Sequence, residues 1–368
     1  MWRAAKRMHV DRPLALLIAI LVLAGGMIFA SAAFGLLARG SVNISSVAFN
    51  HLALGIGVGL LALVIGSHIN YTLWRRFAPH IFVLALLATA AVFIPGLGME
   101  HGGGRRWLNI AGFSLQPSEG LKLASIMIAA AYFTAVRAKI GDLRFGLGGL
   151  LLILAGPVII LILQPDLGTL GIIILSVLAV FFAAGGKIRD LILMAVIGAL
   201  ALAVLATARP YVRDRVAVFL DPSRAPQAEG YQIKQSLIAI GSGGFLGRGF
   251  GQSVQKFTYL PEPMGDSIFA VAAEEFGFLG SVAVIGLFLA FALRGFSIAS
   301  RVTNHFGALL AIGISFYLAC EAFINIAAML GVAPLTGIPL TFISQGGSAM
   351  LVSLASAGIL LGISRRRN

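Results

Sequence analysis

Apolar runs long enough to cross a bilayer recur from one end of this 368-residue chain to the other, and that recurrence leaves few folds open. Hydrocarbon offers no hydrogen bonds, so only helices or closed barrels satisfy a backbone inside it, and continuous apolar spans mean helices. A mean hydropathy of +0.97 and 11% charged residues exclude an ordinary soluble domain. Ten spans are expected, at roughly 13–38, 49–67, 79–96, 118–136, 146–163, 168–185, 189–208, 267–294, 305–330 and 347–364. The fold class is therefore an all-α polytopic membrane protein. Residues 1–368 read as a single domain, with a large external loop at about 209–266 between spans seven and eight.

Orientation follows from basic residues in the short connections. Arg3, Lys6, Arg7 and Arg12, then Arg75 and Arg76, Arg137, Lys139 and Arg144, Lys187 and Arg189, Arg294 and Arg301, and Arg365 to Arg367 all fall on one side of a ten-span chain. Both termini are accordingly expected in the cytoplasm. The net charge of +13 is then mostly topology signal and headgroup attraction. No basic stretch is interleaved with aromatics, so nucleic acid is set aside as a partner. The single cysteine, Cys320, allows no intramolecular disulfide and no cysteine-based metal site. The first apolar run is too long for a cleaved signal peptide and is expected to remain as an anchor helix.

Four segments fall on the external side: 96–119, rich in glycine around Arg105, Arg106 and Trp107; the turn QPDLG at 164–168; the loop 209–266; and PLTGIPLTFISQGGS at 334–348. Within 230–277 the charges Lys234, Arg248, Lys256, Glu262, Asp266, Glu274 and Glu275 crowd together, as an aqueous pocket at the mouth of a bundle would require. Asp266 stands at the threshold of a span, where a carboxylate can take a proton from a hydroxyl nucleophile, a role worth about 10²–10⁴ in rate. It can equally be a helix N-terminal acid complementing the dipole, worth roughly 0.3–1 kcal/mol. Glu119 and Lys122 lie three apart on one helical face, either as a buried pair or as residues facing a water-filled cavity. Arg105 and Arg106 suit phosphate oxygens or stand as solvated loop residues. Asp166 is either a helix cap or a site acid. Glu274, Glu275 and Glu321, with Asn325, enter the spans deeply enough to be functional candidates or structural pairs. The six histidines show no metal-ligand spacing.

The blocks RWLNIAGFSLQPSEGLKLA (106–124), LQPDLGT (163–169), FLDP followed by GYQIKQSLIAIGSGGFLGRGFG (219–251), YLPEPMGDSIFAVAAEEFGFLG (259–280) and PLTGIPLTFISQGGS (334–348) together resemble the FtsW/RodA, or SEDS, family over nearly the whole chain. The resemblance implies a ten-span bundle that polymerises peptidoglycan glycan strands outside the cytoplasmic membrane from lipid II. It implies a class B penicillin-binding protein as partner, within the divisome or elongasome. It places the catalytic acid at Asp266 and maps substrate binding onto Arg106, Glu119, Lys122 and Asp166. Lys234, Gln235, Ser236, Glu262, Glu275 and Ser344, in or beside the same blocks, are further candidates for substrate contact. Two departures stand out: Gly265-Asp266-Ser267 replaces the family's Thr-Asp-Phe, and Ser344-Gln345-Gly346-Gly347-Ser348 replaces SYGGS. The phrasing FLDP and QKFTYLPE leans towards the division member.

The chemistry so implied is inverting glycosyl transfer, with Asp266 as base and with Arg106 and Lys122 neutralising pyrophosphate charge. Lys234 and Arg248 are further cations for that role. A divalent cation, Mg2+ or Mn2+, can assist the leaving group, although no dedicated cage is visible. A lipid II flippase, resting on the charges Lys122, Glu275 and Glu321 within spans, and a non-catalytic scaffold for the transpeptidase are the alternatives.

Overall fold

The structure is a computed structural model that describes residues 10–39, 49–101, 104–110, 113–221 and 229–365. Helices α1 (Arg12–Arg39), α2 (Asn50–His68), α3 (Tyr71–Ala90), α4 (Pro117–Ala135), α5 (Leu147–Leu163), α6 (Leu167–Ala183) and α7 (Ile188–Ala208) form the first part of the bundle. After α8 (Pro210–Leu220) and α9 (Glu229–Ser242) come α10 (Ile268–Ala299), α11 (His305–Met329) and α12 (Gly347–Arg365). Every expected span is a helix. Among the described residues, seven helices are long and apolar enough to cross a membrane. Helices α5 and α6, of 17 residues, sit at the lower end of the spanning range of about 17–25. Helix α4 carries the charges Glu119 and Lys122.

Three expectations are corrected. The third span starts at Tyr71, because Asn70 caps it by accepting from Thr72 N at 3.1 Å. Arg75 and Arg76 are thus helical, their long stems leaving the charge exposed while the backbone stays in the ladder. Segment 96–119 contains a three-stranded antiparallel sheet, β1 (Gly98–His101), β2 (Gly104–Ile110) and β3 (Phe113–Leu115), in register Met99 to Trp107 and Asn109 to Ser114. Outside the hydrocarbon a short sheet edge can be hydrated, so strands are allowed there. The loop 209–266 contains α8, α9 and a four-residue helical turn, Gln255–Thr258.

Close helix packing relies on missing side chains. Helix α12 carries Gly358-x-x-x-Gly362 against α2, where a Cβ on Gly358 would lie 2.4 Å from Leu63 O and one on Gly362 2.8 Å from Gly66 O. Small residues of this kind let backbones approach where no hydrophobic drive separates helix from lipid. At one end of the bundle Asp11 caps α1 through Leu14 N at 3.0 Å and receives the Arg294 guanidinium as a fork at 2.8 and 2.7 Å. Its own N–H donates to Ser364 Oγ at 3.2 Å, so the starts and ends of α1, α10 and α12 meet there.

Helix α10 is broken at Gly277, whose φ of 67° and ψ of −162° are non-helical. The break frees the Glu274 and Glu275 carbonyls and the Phe278 and Leu279 amides. Residues 244–249 satisfy all four: Arg248 N donates to Glu274 O at 3.0 Å and Gly249 N to Glu275 O at 2.9 Å, while Phe278 N and Leu279 N donate to Gly244 O and Phe245 O at 2.9 and 3.2 Å. The backbones lie so close that a Cβ on Gly247, at φ +83°, would fall 2.1 Å from Glu275 O. Gly247→Ala is therefore expected to lower the apparent melting temperature of the purified protein, with strain of order 1–3 kcal/mol. Gly241→Ala, where an added Cβ meets open space, should leave it unchanged.

Candidate functional site

The four external segments converge. Arg106, on β2, donates through Nε to Gln164 O at 3.4 Å and through a terminal nitrogen to Pro165 O. Gln116 N donates to Ser348 Oγ at 2.9 Å, joining the start of α4 to the start of α12. Asp166 caps α6 by accepting from Thr169 N at 3.2 Å, and its second oxygen accepts from Gln116 Nε2 at 3.3 Å and Ser118 Oγ at 3.4 Å. Asp166 is thus both the helix cap and the joint between two segments.

Asp266 lies in the turn that precedes α10, and that turn is held from two sides. Asn325 Nδ2, on α11, donates to Asp266 O at 2.9 Å and to Ile338 O at 2.8 Å. Ser344 Oγ donates to Gly265 O at 2.8 Å, and Gln345 N donates to Met264 O at 2.7 Å. Gln232 Nε2, on α9, reaches Ser267 Oγ at 3.0 Å. Glu262 opens the turn with its φ at 44°, a left-handed conformation that costs a non-glycine residue energy. Across from the acid, Gly337 holds a φ of 69°, and a Cβ there would lie 3.6 Å from Asp266 Oδ2.

These hydrogen bonds fix the backbone and leave the carboxylate for chemistry. Its pKa is pushed up to about 6, first by loss of hydration on burial and then by the neighbouring Glu262, while the Arg215 and Arg106 guanidiniums pull it down. A carboxylate in that range is a stronger base at neutral pH than an ordinary aspartate, and it stays ionised there. Arg215 also lies over the Tyr211 ring at 4.6 Å, and Tyr211 Oη donates to Pro165 O at 3.2 Å. A cavity of about 330 Å³ opens beside these groups, between the α5–α6 turn and the corner joining α7 to α8, with Arg106 and Arg209 in its wall.

Several expected substrate contacts are otherwise engaged. Lys122 is buried between Glu119 Oε2, at 2.8 Å, and Glu321 Oε1, with the Tyr317 ring 5.5 Å away. Glu321 accepts in turn from Thr341 Oγ1 at 3.3 Å. Two carboxylates thus share one ammonium. Glu275 accepts from Lys256 Nζ and Ser31 Oγ, each at 2.6 Å, and ties the large loop to α1. Arg248 lies 3.5 Å from Glu274 Oε1, which also accepts from Val254 N at 3.1 Å. Ser236 is buried and donates to Met329 Sδ at 3.4 Å. Lys234 is exposed and Gln235 half-buried on α9, and Gln232 is the residue that reaches the acid's turn. Ser344 braces the backbone, its hydroxyl donating to Gly265 O at 2.8 Å and accepting from Leu340 N at 2.7 Å. Sequence reasoning did not single out Arg215 or Arg209 within the large loop. Asn325 was noted only for its depth.

Known proteins are similar to this chain along nearly its whole length. The family model described as "Cell cycle protein", covering FtsW, RodA and SpoVE, matches residues 12–368. Stage V sporulation protein E of Bacillus subtilis (strain 168) is 36% identical over 352 residues, covering 96% of each chain. The probable peptidoglycan glycosyltransferase FtsW of Thioalkalivibrio sulfidiphilus (strain HL-EbGR7) is 36% identical, covering 99% of this chain and 91% of its own. Among solved structures, a chain from a study of the structural coordination of polymerization and crosslinking by a peptidoglycan synthase complex superposes with a TM-score of 0.78. It is 27% identical and is matched over 100% of this chain and 99% of that one. Rod shape determining protein RodA of Thermus thermophilus superposes at 0.71 with 26% identity, over 100% and 98% of the two chains. The chain belongs to the FtsW/RodA/SpoVE family.

Proposed function

We propose that this protein is a peptidoglycan glycosyltransferase that polymerises lipid II at the outer face of the cytoplasmic membrane. The observation that carries the reading is Asp266. It is a buried carboxyl raised to about 6, within electrostatic reach of the Arg106 and Arg215 guanidiniums, in a turn braced by Ser344 and Asn325. Asp266 takes the proton of the 4-hydroxyl on the acceptor's N-acetylglucosamine. That oxygen forms a bond to the anomeric carbon of the donor's N-acetylmuramic acid as the bond to the pyrophosphate breaks, and undecaprenyl pyrophosphate departs with the electron pair. Inversion at that carbon leaves a β-1,4 linkage. Arg106 and Arg215 replace Lys122 as the cations that meet developing phosphate charge, since guanidinium forks match phosphate oxygens and act strongly where water is scarce.

Among the described residues no group of three or more His, Cys, Asp or Glu could hold a metal ion. Mg2+ commonly takes one or two carboxylates and completes its shell with substrate phosphates, and Glu262 beside Asp266 fits that pattern. A bound Mg2+ or Mn2+ would supply neutralisation of phosphate charge.

The basic residues at the helix ends support cytoplasmic termini and an outward-facing site. The likeness to a chain of a peptidoglycan synthase complex that couples polymerization to crosslinking supports a class B penicillin-binding protein as partner. The family description "Cell cycle protein" supports a place in septal synthesis, with divisome membrane proteins nearby. The flippase reading loses its footing, because Lys122, Glu275 and Glu321 are each paired inside the protein.

Glycan-chain assays on purified lipid II, with and without the partner, should show Asp266→Asn slowed by about 10²–10⁴. Wild-type rates in that variant would remove Asp266 as the base. Because the base works deprotonated, the wild-type rate should fall as pH drops through about 6. The raised carboxyl also favours the folded protein when protonated. That contribution is full below pH 3.8 and is lost as pH rises through about 6, so Asp266→Asn should melt no lower than wild type at pH 8. Lys122→Met should lower stability by about 3–5 kcal/mol by stranding two buried carboxylates. The loss should be read in the yield of monodisperse protein, and changing Glu119 and Glu321 to Gln as well should reduce it.

A further inference from the structure

Helix α9 descends beside α10 instead of lying across the end of the bundle. Its start meets the acid's turn, where Gln232 reaches Ser267, and at its far end a Cβ on Gly243 would lie 2.2 Å from Ala273 O. It therefore runs in the same direction as the first turns of α10, from Asp266 towards the hydrocarbon. Its inner face, with Ile233, Ser236 and Ala239, is buried. Its outer face, at helical spacing, carries Lys234 first and then only Leu237, Ile238 and Gly241, all exposed. The turn that follows adds Phe245, 64% exposed, and Leu246, 75% exposed.

The depth of that turn follows from α10. Phe278 N and Leu279 N donate to the carbonyls of Gly244 and Phe245, so the turn is level with them. From Phe278 to Arg294 the helix is unbroken, sixteen residues that rise about 24 Å. At Arg294 the ion pair with Asp11 and the basic ends of α1 and α12 mark one edge of the bilayer. The hydrocarbon is about 30 Å thick and tilt only shortens a helix's reach across it, so Phe278 lies inside the far edge. The lipid-facing row of α10, Phe278, Val282, Leu289 and Leu293, is exposed, and the Phe245 ring stacks on the Phe278 ring with centroids 5.9 Å apart. The turn thus continues that row.

We propose that Phe245 and Leu246 are seated among the acyl chains of the outer leaflet, so that α9 and the turn after it form a re-entrant anchor inside a nominally external loop. Irregular backbone enters hydrocarbon only where protein meets its polar groups. Arg248 N and Gly249 N donate to Glu274 O and Glu275 O, Gly247 N donates to Gly243 O at 2.9 Å, and α10 takes the Gly244 and Phe245 carbonyls. The Arg248 charge is matched by Glu274, 3.5 Å away. Protein interfaces mix aromatic side chains with arginine and a polar rim, whereas residues 237–246 hold no charge at all. Lipid is the partner such a surface fits. Because α9 bonds to Ser267 at its other end, the anchor sets the height of Asp266 above the bilayer. Only the choice of leaflet depends on cytoplasmic termini; the seating in lipid depends neither on that nor on the polymerase reading.

The test places a nitroxide label on single introduced cysteines in the full chain, with Cys320→Ser, in phosphatidylcholine nanodiscs. Collision with oxygen, which concentrates among acyl chains, is compared with collision with a water-soluble nickel chelate. At Leu246→Cys oxygen should dominate, as it does at Val282→Cys on the lipid face of α10. At Lys234→Cys, at the other end of the same helical face, the nickel chelate should dominate. Phe245→Cys should behave as Leu246→Cys does, which guards against a label that distorts one position. Leu246→Asp should melt lower in nanodiscs than Leu246→Ala, because its charge is carried into lipid. Nickel-dominated collision at both Phe245→Cys and Leu246→Cys would overturn the assignment. Shielding of those labels from water only on adding a class B penicillin-binding protein would give the surface to that partner instead.

Discussion

A backbone amide or carbonyl within a membrane protein must find its partner in the protein, because lipid supplies none. Helix α10 breaks that rule at Gly277 and is rescued by residues 244–249, which return four hydrogen bonds to the broken ladder. Much else follows from this repair. The loop that returns is pinned to the bundle a short way along α10 from Asp266. Lys256 and Glu275 then close the contact to α1 through Ser31, and Glu274 collects Ser253 Oγ at 2.6 Å and the amides of Val254 and Gln255. Buried charges are costly unless paired and hydrogen-bonded. Here Glu274 and one oxygen of Glu275 take their partners from the loop they anchor.

The same economy shapes the turn that carries Asp266. Asn325, Ser344 and the Gln345 amide bond to main-chain carbonyls and leave the side chain alone. A preorganised carboxylate follows, set by backbone contacts from α11 and from the segment before α12. The Lys122 cluster is the opposite case. Its charges are spent on one another, and their contribution is to join α4 to α11. Polar residues inside a bundle therefore divide between those that complete its framework and those it holds open.

The ten spans were legible because a bilayer demands about 20 apolar residues in a row, and few sequences meet that by accident. Arg75 and Arg76 misled because charge at a helix end resembles a loop, although the stem of arginine allows both. The small sheet was hidden by glycines that read as a turn. At the site, Arg106, Asp166, Asp266 and Ser344 were legible as parts of blocks that had to meet on one face. Their roles were less so. Lys122 and Glu321 lie 199 residues apart, and nothing local says that one neutralises the other. Ser236 and Glu275 find Met329 and Lys256 by the same long-range geometry. Arg215 gained its place only when α8 brought it over Tyr211 beside the α5–α6 turn.

The meeting of Asp11, Arg294 and Ser364 gives the chain an order of assembly. Its first helix is capped by an acid whose partners are made only when α10 and the last helix have been synthesised. Helix α12 also supplies the glycines against α2 and the Ser348 hydroxyl that receives Gln116 N. The contacts of α1, α2 and α4 with α12 can therefore close only once α12 has joined them in the bilayer. The catalytic chamber cannot be finished on a partial product. A bundle without α12 would leave the Asp11 amide without Ser364 and the Gln116 amide without Ser348.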